Sequence, residues 1–167
     1  MAAMIIRPVI VCAAVGLLAL LAVGGAVLSE SVLGLVPCAL CLWERWPYRV
    51  MAGVLVLAMF WPSGRRLLMT LSLLAGFAAA GLGGLHVGVE RGWWPSPLPE
   101  CAAPAMGGRT MAERLSHMPA HPAKPCDEPT YLVPAVPVSM AELNTLLALA
   151  LAAWLATSVI HRRTHDE

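Results

Sequence analysis

Residues 9–28 read VIVCAAVGLLALLAVGGAVL, an uncharged segment long enough to cross the roughly 30 Å hydrocarbon core of a bilayer as one helix. Two further uncharged segments of this kind follow, at residues 67–89 and 143–160. Hydrophobic residues make up 59% of the chain and charged residues 13%, a composition that excludes an ordinary soluble protein. The sequence therefore predicts an integral membrane protein.

A fourth span is predicted at residues 45–61, although its uncharged part begins only at Val50. A helix that crosses here must reach back to Arg45. Pro47 then has to lie in the first turn, where its missing N–H has no partner within the helix. The first segment is predicted to be a retained span, because its apolar core is longer than the usual signal core of about 7–15 residues. We expect an all-α fold, a four-helix transmembrane bundle forming a single domain.

The arginines in the short connecting segments predict the topology. One end of the four spans carries Arg7, Arg65, Arg66, Arg162 and Arg163. The positive-inside rule makes this end cytoplasmic, together with both termini. These five arginines are fewer than half of the 11 basic residues. The prediction therefore rests on their concentration in short segments, whereas the other basic residues are spread over longer loops. Loops 29–44 and 90–139 then lie on the outer side. The balance of 11 basic and 10 acidic residues argues against a nucleic-acid surface.

Four of the five cysteines fall in the two outer loops: Cys38 and Cys41 in the first, Cys101 and Cys126 in the second. An even set on the oxidising side of a membrane suggests two disulfides, either structural or redox-active. The spacing Cys38-Ala-Leu-Cys41 favours a redox pair, because two intervening residues close a small ring whose thiolate is readily stabilised. Cys12 lies inside the first span and is predicted to be a buried structural thiol.

The surroundings of Cys41 indicate how the first pair is tuned. Cys41 lies just before the predicted start of the second helix, where the helix dipole and the charge of Arg45 favour a thiolate. We therefore expect the pKa of Cys41 to be lowered more than that of Cys38. Glu44 would oppose this effect if it were unpaired, so we expect it to form an ion pair with Arg45 or Arg49.

The motifs around the cysteines resemble those of the DsbB family. Pro37-Cys-Ala-Leu-Cys-Leu-Trp-Glu-Arg45 is similar to the first periplasmic loop of that family. In the second loop, Trp94-Pro-Ser-Pro97, Pro125-Cys-Asp-Glu128 and Ser139-Met-Ala-Glu-Leu-Asn144 fit the family's arrangement. The resemblance covers nearly the whole chain. The proline-rich stretch at residues 129–138 departs from the family pattern.

The resemblance implies a quinone-dependent protein-disulfide oxidoreductase of the bacterial inner membrane, with its redox loops in the periplasm. A Cys101–Cys126 disulfide would be attacked by a reduced DsbA-like thioredoxin-fold partner, and Cys101 would form the mixed disulfide. Cys126 would exchange with Cys38 and free Cys41 as the thiolate that donates to ubiquinone or menaquinone. No metal is implied.

The family's quinone site is carried over to three positions. Arg45 would stabilise the negative charge that develops on thiolate or quinone oxygen. His86 lies near the outer end of the third span, close to where the family has a basic residue beside the quinone, and Arg91 is its rival. Trp43 would line the pocket. The glycines between Gly76 and Gly84 form no phosphate loop and are predicted to allow close helix packing.

Two capping boxes are predicted in the outer part of the chain. Thr110-Met-Ala-Glu113 would start a short amphipathic helix, lying either on the membrane or on the rest of the loop. Ser139 and Glu142 would cap the fourth span.

Three other functions remain open at this point. Cys101, Cys126, His117 and His121 would provide ligands for a zinc site in a metal-binding membrane protein. A quinone reductase resembling vitamin K epoxide reductase would share the chemistry, but there the C-x-x-C motif follows the loop pair. A non-catalytic protein with structural disulfides is the third. The sequence does not tell which quinone, which partner or which resting disulfide pairing applies.

Overall fold

The computed structural model describes residues 2–101, 110–111, 113, 124–132, 135 and 137–166, with the backbone alone for residues 2–7 and 161–166. It contains four long helices, which are α1 (Ala2–Leu33), α2 (Ala39–Phe60), α3 (Arg65–Glu90) and α4 (Met140–Asp166). A 3-10 turn, Pro99–Cys101, follows α3. Within the described residues there is no strand, and only Tyr131 and Ser139 form an isolated β-bridge. The predicted all-α fold with four helices is confirmed for this part of the chain.

Three of the helices are long and apolar enough to cross a bilayer. They are Pro8–Leu33 within α1, the whole of α3, and Met140–Ile160 within α4. Glu44, Arg45 and Arg49 all lie in α2, and charges of this kind are costly inside a membrane unless they are paired. The fourth span and the orientation of the termini therefore stay predictions.

Helix α2 begins at Ala39, well before the expected start near Arg45, so that expectation is wrong. Pro47 consequently lies inside the helix and not in its first turn. The earlier start is stabilised by Cys38, whose sulfur caps the helix by accepting the N–H of Cys41 at 3.3 Å. Leu40, in the first turn, is only 1% exposed, so its burial also favours helix here.

The helices pack in chain order. Helix α3 contacts α2 on one side and α4 on the other, while α1 packs mainly on α2. The core between them contains fully buried apolar side chains from every long helix, and Cys12 is one of them, as predicted. Gly83 brings α3 and α4 together, because a Cβ atom there would come within 2.5 Å of Thr145 Oγ1. The predicted role of the α3 glycines in close packing is thus confirmed at this position.

The start of α4 shows the predicted capping box in full. The N–H of Glu142 donates to Ser139 Oγ at 3.2 Å, and the N–H of Ser139 donates to Glu142 Oε2 at 3.1 Å. At the other predicted box, the N–H of Glu113 donates to Thr110 Oγ1 at 3.3 Å. The rest of that short helix lies outside the described residues, so its placement on the membrane stays a prediction.

The chain leaving α3 is anchored by Trp94. Its indole N–H donates to the carbonyl of Leu85 at 3.1 Å, and its ring lies directly over Gly88. A Cβ atom at Gly88 would collide with that ring. Gly92 makes the necessary turn with φ of 68°, a conformation that favours glycine. The start of the second loop is thereby fixed against the outer end of α3.

Candidate redox site

The four loop cysteines come together at one end of the bundle. Cys38, Cys101 and Cys126 are buried in a small apolar cluster against which Cys41 also packs. Cys101 and Cys126 form a disulfide with their Cα atoms 5.0 Å apart. Cys38 and Cys41 are an unbonded dithiol with their sulfurs 3.1 Å apart. The structure therefore places an oxidised pair and a reduced pair side by side.

Cys38 is the thiol that its surroundings stabilise as a thiolate. The pKa of Cys38 is lowered to about 4, and the hydrogen bond with the Cys41 thiol is the largest cause. Burial acts in the opposite direction, while His86 and the N–H of Cys41 contribute to the lowering. Cys38 occupies the cap of α2, the position that the sequence interpretation gave to Cys41. The expectation that the pKa of Cys41 would be lowered more is therefore wrong.

His86 links the first cysteine pair to two carboxylates. The imidazole is almost fully buried, with Nε2 3.5 Å from Cys38 Sγ and Nδ1 2.8 Å from Glu44 Oε1. Nε2 also lies 3.9 Å from Oε1 of Glu90. The second oxygen of Glu44 accepts a hydrogen bond from Asn144 Nδ2 at 2.8 Å. Helices α2, α3 and α4 each contribute a side chain to this buried network.

Arg45 has a different partner from the one predicted. Its guanidinium forms an ion pair with Glu30 of α1, and Arg49 lies over the ring of Trp46, 5.4 Å from its centroid. The prediction that Glu44 pairs with Arg45 or Arg49 is wrong, because His86 and Asn144 take up the carboxylate. Within the described part of the chain, the buried Nε of Arg45 has no hydrogen-bond partner.

A cavity of about 310 Å³ lies between α1, α2 and α4. Its lining is mostly apolar and includes polar or reactive groups from Cys41, Glu44, Arg45, Tyr48 and Asn144. This volume is at the lower end of the range of roughly 300–1,000 Å³ that is usual for small-molecule sites. One residue of the reduced pair, Cys41, therefore lies on a cavity wall.

The three residues predicted to bind a quinone are placed differently. Arg45 lines the cavity, whereas His86 and Trp43 do not. Trp43 is 56% exposed, and His86 faces Cys38. Arg91, the rival of His86, forms an exposed ion pair with Glu142. Their roles toward a quinone stay predictions.

Sequence reasoning missed three residues of this region. Glu30 ends the uncharged part of the first span and could have been found as an acid that needs a partner near a membrane. Asn144 was noted only as part of a motif. Tyr48, whose hydroxyl donates to the carbonyl of Asn144 at 3.1 Å, gave no signal beyond its aromatic character.

The comparison with protein families matches residues 8–158 to the DsbB family, described as disulfide bond formation protein DsbB. The chain belongs to the DsbB family. Neither the curated proteins nor the solved structures contain a match. DsbB-family membership makes this a membrane protein of disulfide-bond formation with disulfide oxidoreductase activity. The match includes all four loop cysteines.

The distance between the sulfurs of Cys38 and Cys41 also favours a dithiol over a metal site. The donor atoms of Cys38, Cys41 and His86 lie within 4.8 Å of one another, close enough for a single ion. Two thiolates on a tetrahedral zinc, at Zn–S distances of about 2.3 Å, would lie roughly 3.8 Å apart. The sulfurs here are 3.1 Å apart, which is closer than zinc would hold them.

The alternative zinc site in the second loop lacks its thiolates in this structure. Cys101 and Cys126 are joined in a disulfide and have no free thiol to offer. His117 and His121, the other two ligands of that hypothesis, lie outside the described residues.

Proposed function

We propose that this protein reoxidises a periplasmic DsbA-like dithiol protein and passes the electrons through its two cysteine pairs to a membrane quinone. The observation that carries this proposal is the adjacency of the Cys101–Cys126 disulfide and the Cys38–Cys41 dithiol, with Cys41 on the wall of a cavity. In this arrangement both termini are cytoplasmic, and both pairs lie at the periplasmic face of the bacterial inner membrane.

The second pair is the entry point for electrons. A thiolate of the reduced partner attacks Cys101, which forms the mixed disulfide and releases Cys126. Exchange requires the attacking thiolate to reach the sulfur, yet Cys101 is only 5% exposed and Cys126 1%. Partner binding must therefore displace this part of the loop before the reaction. Cys126 then attacks Cys38 in the oxidised first pair, and Cys41 leaves.

The cavity residues fit a quinone. Arg45 brings a cation and a buried Nε–H that has no partner among the described residues, and a quinone oxygen is an acceptor that satisfies such a group. The mostly apolar lining suits the ring of a quinone. A bound quinone supplies a two-electron, two-proton acceptor. Such an acceptor is needed because a DsbA-like protein is itself a strong oxidant, with a potential of about −120 mV.

The test is quinone reduction by the purified full-length protein in detergent, driven by a reduced DsbA-like protein. We expect turnover with ubiquinone or menaquinone, and its loss in Cys41→Ser and in Cys101→Ser. Cys12→Ala, which changes a core thiol away from both pairs, is the control and should keep turnover. A folded protein that turns over with neither quinone would contradict the proposal.

A further inference from the structure

Closing the Cys38–Cys41 disulfide requires a place for the proton of Cys38. Each thiol that enters a disulfide loses one proton, and the new bond releases two electrons to an acceptor. Cys38 is only 4% exposed, so its proton has no direct route to bulk water. A neighbouring group must accept it.

His86 is the group in position to do so. Among the described residues, the titratable groups that face its ring are Cys38 at the cap of α2, Glu44 on α2 and Glu90 on α3 itself, with Cys41 beside Cys38. Only Cys38 lies within hydrogen-bond distance of Nε2, at 3.5 Å. A neutral imidazole has one nitrogen that donates and one that accepts, so the role of Nε2 depends on the other nitrogen.

Glu44 sets that role. An ionised carboxylate only accepts hydrogen bonds, so when Glu44 is ionised the 2.8 Å contact between Glu44 Oε1 and His86 Nδ1 places the hydrogen on Nδ1. The lone pair of Nε2 is then left facing Cys38. Glu44 is itself oriented by the amide of Asn144, at 2.8 Å from the other carboxylate oxygen.

We propose that His86 is the proton acceptor for Cys38 and that Glu44 is the positioning residue that makes this possible. The S–H bond of Cys38 breaks and an N–H bond forms at His86 Nε2, while the electron pair stays on the sulfur. That pair then forms the bond to the Cys41 sulfur as the S–H bond of Cys41 breaks, and the two electrons and the Cys41 proton pass to the quinone-class oxidant. This inference rests on the thiol oxidase function proposed above.

The contact between His86 and Glu44 also provides a route for the Cys38 proton from His86 to the cavity. The imidazolium passes its Nδ1 proton to Glu44, and Glu44 lines the cavity that also exposes Cys41. The first pair therefore delivers to one cavity by two routes: the two electrons and the Cys41 proton leave at Cys41, and the Cys38 proton passes through His86 and Glu44. This arrangement suits an acceptor that needs both.

The direct test is the protonation state of His86, read by nitrogen NMR of the full-length, quinone-free protein labelled with ¹⁵N-histidine at pH 7. Of the 5 histidines, the other four are replaced by glutamine so that only His86 reports. We expect a neutral ring with hydrogen on Nδ1 when Cys38 and Cys41 are joined, and an imidazolium after reduction. An unchanged protonation state in the two forms would overturn the proposal.

Three variants separate the acceptor role from a structural one. Cys38→Ser should keep His86 neutral under reducing conditions, whereas Cys41→Ser should still give the imidazolium. Glu44→Gln should abolish the fixed tautomer of the oxidised form. If Cys38→Ser still yields the imidazolium, the proton does not come from Cys38 and the proposal fails.

Kinetics provide a second readout. His86→Gln should slow disulfide formation in the reduced first pair by about 10²–10⁴-fold at pH 7 with decylubiquinone as the oxidant, and the loss should shrink as the pH rises. Thr70→Val, a change at a half-buried position of the same helix that contacts neither cysteine pair, should have no effect. A His86→Gln protein that is folded and as fast as wild type would overturn the inference. The NMR result needs no quinone, so a failure of turnover in the wild type remains distinguishable from a failure of this proposal.

Discussion

The two cysteine pairs lie in different surroundings, and Cys41 of the first pair is half-buried whereas the other three cysteines are buried. Cys38 is 4% exposed, and Cys101 and Cys126 are 5% and 1% exposed. The first pair begins a helix and contacts a buried histidine that is held by a carboxylate. The second pair joins a 3-10 turn to a loop. The comparison indicates that the two pairs differ in their hydrogen-bonding partners and in the exposure of one thiol, a difference that fits the separate roles proposed for them above.

The largest expected effect is a difference between the two cysteine pairs in how much partner protein each oxidises in a single turnover. Cys41→Ser and Cys101→Ser should both abolish steady-state turnover. With excess reduced DsbA-like protein and no quinone, Cys41→Ser should still oxidise about one equivalent through its Cys101–Cys126 disulfide, whereas Cys101→Ser should oxidise none. Acid quenching and thiol counting measure this yield. A full equivalent from Cys101→Ser would mean that the partner reacts directly with the first pair.

The next largest effect concerns the negative charge on the reduced first pair. Because hydrogen bonding lowers the pKa of Cys38 to about 4, the reduced first pair should contain one thiolate at pH 6 and lose it only as the pH falls toward 4. An unfolded thiol, with a pKa of about 8.5, is almost entirely protonated at pH 6. Thiolate absorbance near 240 nm in Cys101→Ser/Cys126→Ser protein measures this difference, before and after unfolding.

The same titration of Cys38→Ser/Cys41→Ser protein sharpens the comparison. It reports the second pair under identical conditions. An equal thiolate signal at pH 6 from that pair would erase the proposed contrast between the two.

Arg45 and Arg91 each form an ion pair, Arg45 beside the cavity and Arg91 at the start of the second loop, so replacing each by glutamine compares the two regions. Arg45→Gln removes a partly buried cation beside Cys41 and leaves Glu30 unpaired, so we expect turnover to fall by roughly 10²–10³-fold. Arg91→Gln breaks an ion pair whose arginine side chain is 57% exposed, and water and salt screen such a pair, so we expect turnover to change little. Steady-state turnover of both variants measures the difference, and equal losses would contradict the assignment of Arg45 to the cavity.

The smallest predicted effect tests how the second loop is anchored. Gly88→Ala forces the ring of Trp94 off α3, and overpacking of this kind costs about 1–3 kcal/mol. Gly84→Ala is the control, because within the described residues no atom beyond its own helical turn lies within 4 Å of a Cβ atom there. Thermal unfolding in detergent and the rate of reaction with the partner measure both variants. If Gly88→Ala matches Gly84→Ala in both, Trp94 does not hold the loop.

The sequence predicted what local pattern controls. Uncharged segments of span length indicated the helices, and the capping box at Ser139 and Glu142 indicated the start of α4, because both signals lie within a few residues. The start of α2 was mispredicted for a related reason. Pro47 argued for a late start, but the cap by Cys38 and the burial of Leu40 outweigh the hydrogen bond that proline removes.

The partners of the buried charged residues could not be predicted from their neighbours in the sequence. Glu44 has Arg45 and Arg49 close by in sequence, yet it contacts His86, which is 42 residues away. A helix directs neighbouring residues to different faces, so adjacency in sequence does not bring side chains together. Only the packing of α3 on α2 determines this pairing, and nothing in a single sequence reveals it.

The hydrogen bond between Asn144 and Glu44 joins residues that are 100 positions apart. During synthesis α2 and α3 emerge well before α4. Glu44 therefore cannot form its hydrogen bond with Asn144 until the last helix has entered the membrane. The orientation of His86 over Cys38 is therefore completed only when insertion is finished. A half-inserted chain would hold its cysteines without the polar network that tunes them, and so oxidising power would arrive together with the finished protein.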